Sequence, residues 1–229
     1  MTGGTWPPGG TGGRARRLKR AGFTVALAAM LPLAGCISLG GEPPASLLTL
    51  KSSATAPAGS SAQVGGKAAQ GAIAVLAPET PAKLDVLRVP VNISDTEIAY
   101  LPEAFWVEKP ARLFRRLLGE TLRAQVSTLV LDSDDTPTLA ERRVRGSLLE
   151  LGYDAATSAV MIRYDAIVTE ADGTVSSRRF EAREEGVLAE ASAVGPALNR
   201  IANQVAGEVA EWVAGPNAAT AAVTPAPAG

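Results

Sequence analysis

Val160, Ile162, Tyr164, Ala166 and Val168 alternate with Arg163, Asp165 and Thr169, and this period-two run limits the possible folds more than any other stretch. A strand turns successive side chains to opposite faces, so a run of this kind buries one face and leaves the other in water. It therefore needs strand neighbours and an apolar layer over one side. The flanking sequence supplies the neighbours. Residues 144–153 place Leu149, Leu151 and Tyr153 on one face, Asp172-Gly173 is a hairpin turn signal, and residues 175–185 offer Phe180 and Ala182 as inward residues. Together the three runs predict an antiparallel meander.

The covering layer is predicted by two longer patterns with helical period. Over residues 109–126, Leu113, Phe114, Leu117, Leu118, Leu122 and Val126 recur on one side, while Arg112, Arg115, Arg116 and Arg123 take the other. Pro110 sits where a first-turn proline is tolerated, and Trp106 lies just upstream, where an aromatic can fold back over the helix start. Over residues 192–213, Val194, Leu198, Ile201, Val205, Val209 and Trp212 form one continuous apolar stripe suited to closing a sheet. Before the first helix, strands are expected at 73–76, at 84–91 with Leu87, Val89 and Val91 sharing a face, and at 96–101 with Ile98 and Tyr100 together. Pro90 suggests a bulge or an edge position between them. A further strand at 127–132 gives the order strand, helix, strand, the signature of a crossover between parallel neighbours. The fold class is α+β: one mixed β-sheet with a strand-helix-strand crossover, a three-stranded antiparallel meander and two long helices packed on the sheet.

The N-terminal region has a different character. Arg14, Arg16, Arg17, Lys19 and Arg20 precede an apolar run over 21–33, and Leu33-Ala34-Gly35-Cys36 follows. A positive segment, a short apolar segment and small residues at a cut site make a secretory signal, and the apolar run is too short to span a bilayer comfortably. The tetrad resembles the lipobox of bacterial lipoproteins. The resemblance implies cleavage after Gly35, removal of residues 1–35 and acylation of Cys36. Without that segment the chain has 17 basic and 23 acidic residues, a formal charge of −6 rather than −1. An acidic body argues against nucleic-acid binding, and membrane attachment would then come from acyl chains and not from a basic patch. Cys36 is the only cysteine and there is no histidine. A disulfide within the chain is thus excluded, and the commonest metal ligand and general base are missing.

Composition sets the remaining boundaries. Residues 36–71 form a lipidated N-terminus with a flexible linker, low in complexity from Lys51 to Gln70. Within it, Leu47 to Leu50 reads either as a short first strand that docks on the domain or as an apolar island in a tether. Residues 72–214 are the folded domain, and 215–229 form an Ala/Pro tail with too little to bury to stay ordered. Asp134 and Asp135 lack the glycine and distal glutamate of a calcium loop and read as a solvated turn.

The order and spacing of several pieces carry a wider resemblance. They are the lipobox Cys36; Ser46-Leu47-Leu48-Thr49-Leu50; residues 82–89 leading to Glu97-Ile98-Ala99-Tyr100; Trp106 before the first helix; and the closing helix. In this arrangement the chain resembles the ABC-type transport auxiliary lipoprotein family, which includes the paraquat-inducible lipoprotein C group. That resemblance implies a non-catalytic auxiliary component of a lipid transporter with mammalian-cell-entry-type subunits. It also implies outer-membrane attachment through acylated Cys36 with the body in the periplasm, since Ile37 is not the aspartate that marks inner-membrane retention. No cofactor, metal or catalytic residue is expected. Trp106 with Arg112, Arg116 and Arg123 is the candidate partner surface, a basic face on an otherwise acidic domain. A different class stays open: a structural or assembly lipoprotein of the envelope that binds peptidoglycan or an outer-membrane protein complex. A serine-lysine hydrolase is disfavoured, because Ser147, Ser158 and Ser192 stand in no Ser-x-x-Lys arrangement.

Overall fold

The computed structural model of the protein describes residues 46–60, 71–132 and 140–215. Residues 1–35, Cys36, the second half of the expected linker, the Asp134-Asp135 turn and the tail from 216 lie outside the described residues. The spine of the fold is β5 (Arg142–Asp154), thirteen residues long. On one side β6 (Ala159–Thr169) pairs with it antiparallel along its length, and β7 (Val175–Glu185) pairs antiparallel with β6, which completes the meander. The other edge of β5 is filled by consecutive pieces of an earlier stretch. β1 (Ile73–Val75) runs parallel to Arg142, Arg143 and Val144, Glu79 bridges to Ser147, and β2 (Arg88–Ser94) meets Tyr153 and Asp154. β3 (Glu97–Phe105) pairs antiparallel outside β2, and β4 (Val130–Leu131) pairs parallel outside β1. α1 (Pro110–Gln125) lies between β3 and β4 in the chain, and α2 (Ala191–Ala214) closes the domain. The mixed seven-stranded sheet with two helices is the α+β class expected. The parallel neighbours of the crossover are β1 and β4, joined through the β2–β3 hairpin and α1.

Four local expectations shift, each for a steric or pairing reason. The strand expected from Leu84 starts only at Arg88, because Pro81 leads the chain into a 3-10 turn over Ala82–Leu84. Leu84 is fully buried from that turn, whereas Leu87 is exposed and does not share the core face with Val89 and Val91. The strand expected to end at Leu101 runs on to Phe105. Its pairing jumps from Pro90–Tyr100 to Arg88–Phe105, a wide bulge that absorbs Pro102 and Glu103, the latter at φ 58°. Residues 127–132 contract to the two-residue β4. Finally, Leu149 does not face the core. β5 carries a bulge between the pairs Leu148–Tyr164 and Glu150–Arg163, which adds one residue and shifts the alternation. Val144 and Leu148 before the bulge and Leu151 and Tyr153 after it therefore all face inward.

Both helices cover the same face of the sheet. Phe114 on α1 meets the ring of Tyr164 edge-on at 5.0 Å between centroids, and Trp212 on α2 lies 5.7 Å from Phe180. Leu113, Leu117, Leu118 and Leu122 from α1 and Val194, Leu198, Ile201, Val205 and Val209 from α2 are buried against them. Each fully buried side chain of this size contributes about 2 kcal/mol relative to exposure. Ala202, Ala206 and Ala210 are fully buried as well, which lets α2 sit close to its neighbours. On β5 the same face includes Gly146, where a Cβ would lie 2.0 Å from the carbonyl oxygen of Asp165 and 2.9 Å from the Tyr164 ring. Only glycine fits there.

The opposite face of the meander is a ladder of ion pairs. Arg163 stands directly across from Glu181, and Asp165 across from Arg179, whose Nε and one terminal nitrogen donate to it at 2.6 and 2.7 Å. Lys83 reaches Glu150 at 2.6 Å. Opposite charges placed directly across neighbouring strands, as in the two β6–β7 pairs, favour the register of the sheet. At the sheet margin Arg200 of α2 donates to Glu184 of β7. Hydrogen bonds from these arginines hold the carboxyls of Asp165 and Glu184 below the usual range.

Two predictions follow from this packing. Gly146→Ala is expected to destabilise the domain by about 3 kcal/mol, the cost of forcing a methyl group against backbone. Gly207→Ala, in α2 with open space around its α-carbon, is expected to stabilise it by about 1 kcal/mol. Urea unfolding followed by tryptophan fluorescence checks both, and equal midpoints for the two variants would contradict the packing described. For pH the sign is set by the depressed carboxyls. The stability they add is fully present above the ordinary carboxylate range and is lost as pH falls through their lower native values. Asp165→Asn combined with Glu184→Gln is expected to flatten the acid limb of a plot of urea midpoint against pH.

Candidate partner surface

α1 forms where it does because Pro110 occupies its first turn and the leucine stripe faces the sheet. Its polar side carries Arg112, Arg116 and Arg123, which are not equivalent, whereas Arg115, expected beside them, is buried because its position on the helix turns it toward the packed side. Arg112 is exposed, with no carboxylate partner among the described residues. Arg116 is paired with Glu108, and Arg123 with Asp132 and, at 3.2 Å, with Glu120. Arg123 also donates to the carbonyl oxygen of Val130 at 3.3 Å, which fastens α1 to β4. Much of the basic stripe is thus neutralised within the domain.

Trp106 is placed elsewhere. Its side chain is 1% exposed and belongs to the core, so it does not join Arg112, Arg116 and Arg123 at a surface. The cause is backbone pairing on both sides of the end of β3. The Trp106 amide donates to the carbonyl of Leu87 at 3.0 Å, and Leu48 forms a parallel bridge alongside. The Leu48 amide donates to the carbonyl oxygen of Phe105 at 2.6 Å, and the Leu48 carbonyl oxygen accepts from the Val107 amide at 2.9 Å. With both neighbours fixed, the indole is turned under the helices. Its buried Nε1 has no hydrogen-bond partner among the described residues.

Leu48 also settles how the short apolar island is used: it docks. Its side chain nests against Gly195 of α2, where a Cβ would lie 2.6 Å from a Leu48 methyl, and Leu50 is buried. The following residues, read from composition as the start of a flexible linker, are strapped over the helices. The Lys51 amide donates to Asn199 Oδ1 at 2.7 Å, the Ser53 amide donates to Asn203 Oδ1 at 2.7 Å, and Asn203 Nδ2 donates back to the Lys51 carbonyl at 2.9 Å. Ser52 and Thr121 hydroxyls lie 3.1 Å apart, and the Ala56 amide reaches Glu120 at 3.3 Å. Asn199 and Asn203, four residues apart on a helix otherwise rich in alanine and valine, are the sequence signal that marks this seat.

The surface around the Leu48–Trp106 bridge is apolar in a way the sequence did not announce. Leu47, Leu87 and Val107 are 49%, 46% and 52% exposed, and each lies within one backbone hydrogen bond of the bridge. Beside them the Arg88 guanidinium stacks 5.4 Å from the rings of both Tyr100 and Phe105. Among the described residues there is no group of three or more His, Cys, Asp or Glu side chains that could hold a metal ion. No described helix is long and apolar enough to cross a membrane.

Comparison with known proteins bears on this arrangement. The family model described as "ABC-type transport auxiliary lipoprotein component" matches residues 52–210. Among solved structures, the protein XCC0632 from Xanthomonas campestris, of family DUF330, is similar over 74% of this chain and 94% of its own, with a TM-score of 0.59 and 15% identity. A second crystal structure, of an uncharacterized protein, is similar over 62% of this chain and 91% of its own, with a TM-score of 0.55 and 15% identity. At such identity these two establish likeness of fold alone. No curated protein matches the chain significantly. Since the family model spans more than half of the sequence and includes the meander, α1 and most of α2, the chain belongs to the family of ABC-type transport auxiliary lipoprotein components.

Proposed function

We propose that the protein is a non-catalytic auxiliary component of an intermembrane lipid transporter with mammalian-cell-entry-type subunits, held at the outer membrane by acylated Cys36 with its body in the periplasm. The observation that carries this reading is the family match over residues 52–210, taken with the Leu33-Ala34-Gly35-Cys36 tetrad upstream of it. Ile37 after the cysteine supports the outer membrane. Buried acyl methylenes contribute about 0.8 kcal/mol each, so two or three chains on one residue hold a domain far longer than a single chain does. The role is to place a binding body, and it asks for no nucleophile or general base. Of the arginine stripe, Arg112 is the strongest candidate for the transporter-facing contact, because Arg116 and Arg123 already have carboxylate partners.

The anchor and the contact are tested separately. Cys36→Ala is expected to abolish fatty-acid labelling and to remove the protein from the outer-membrane fraction, the uncut apolar segment 21–33 being retained. Continued fractionation with the outer membrane would refute the anchor. In the acylated protein, Arg112→Glu is expected to lower crosslinking to transporter subunits about fivefold, on the order of 1 kcal/mol. Crosslinking in the native envelope that captures no transporter subunit would refute the partner assignment.

A further inference from the structure

We infer that the end of the domain carrying Leu47, Leu87 and Val107 rests on the lipid surface, so that the anchored protein is oriented as well as tethered. This rests on the reading of Cys36 as acylated. The first observation is where the chain enters the fold. Leu48 is bridged to Trp106 between backbone groups, and residues 51–56 are hydrogen-bonded across α1 and α2. The segment between lipid and body therefore does not extend to Gln70. It ends at Leu47, only eleven residues beyond Cys36. Even fully extended, that many residues span at most about 40 Å.

The second observation is what surrounds the entry point. Among the described residues seven large apolar side chains are exposed, and three of them, Leu47, Leu87 and Val107, belong to the backbone segments that flank this one bridge. They come from three separate segments brought together by pairing, and the meander face of the sheet carries charged pairs instead. The body cannot drift far from the membrane, and the strap fixes the point at which the N-terminal segment leaves the body, at Leu47. The surface nearest the anchor is then the one that carries these side chains, and burying them at the headgroup boundary removes apolar area from water, while the exposed pairs Glu108–Arg116 and Lys109–Asp85 beside them stay in the polar headgroup layer.

The test uses the full, acylated protein anchored in vesicles of phosphatidylethanolamine and phosphatidylglycerol that contain a nitroxide-labelled lipid. Because the Cys36 sulfur is taken by the acyl group, single cysteines can be introduced and labelled with a small fluorophore: Val107→Cys and Leu87→Cys at the entry point, Val175→Cys and Leu188→Cys elsewhere among the exposed apolar residues. Quenching several-fold stronger at Val107→Cys and Leu87→Cys is the expected result. Equal quenching at all four positions, in protein that floats with the vesicles, overturns the orientation and leaves the anchor standing. A concentration-dependent emission shift at Val107→Cys without vesicles assigns the patch to a second copy of the chain and also overturns it. Protein that takes up no fatty acid and does not float refutes the Cys36 reading, and the orientation with it.

Discussion

β5 is paired along both edges, and the rest of the fold depends on that. Its meander side is one continuous antiparallel ladder, while its other side is shared end to end by β1, Glu79 and β2. A strand paired in this way has no freedom to slip, since moving by one residue would exchange its buried and wet faces. Thirteen residues of a twisted strand must nevertheless keep their apolar side under two helices of different length. The extra residue at Leu149 lets the run before the bulge and the run after it each keep their own phase. Val144 and Leu148 on one side of the bulge, and Leu151 and Tyr153 on the other, thereby close against the helix layer. The glycine at 146 lets Tyr164 lie flat across β5 and present its ring to Phe114, which joins α1 to the sheet.

Features governed by a local period were readable in the sequence. The β6 alternation, the inward Phe180 and Ala182 of β7, and the stripe from Val194 to Val209 all face where their spacing places them, because neighbouring residues of one element decide their direction. What was not readable depends on residues distant in the chain. The bulge at Leu149 answers to Arg163 and Tyr164 on the next strand, and no period within β5 announces it. Trp106 looks like a surface aromatic in its own neighbourhood, but Leu48, almost sixty residues earlier, turns it into the core. The first part of the supposed linker fails as a compositional reading for a similar reason. Small residues carry little apolar information, yet their backbone amides are full-strength donors, and Asn199 and Asn203 accept from them. The same limit applies to the candidate surface: Arg112, Arg116 and Arg123 share a helix side as their spacing requires, but Glu108 and Asp132, which neutralise two of them, come from outside the helix.

The margins of the sheet carry the argument one step further. On the β3 edge, a bulge with Pro102 and a left-handed Glu103 interrupts the regular row of backbone donors. On the β7 edge, Arg178, Arg179, Glu181, Arg183, Glu184 and Glu185 crowd an otherwise regular strand with charge. Both devices discourage indiscriminate strand pairing, and the meander's open face is occupied by its own ion pairs. The two proposed contact surfaces are of opposite character: the polar side of α1 around Arg112, and the exposed apolar residues where the N-terminal segment joins β3. The strap over α1 and α2 links those two places through one rigid body, since the residues that seat the tether, Thr121 and Glu120, lie on the same helix as Arg112. Under the proposed orientation, the positions of the N-terminal junction and of the α1 surface relative to the lipid are therefore set together.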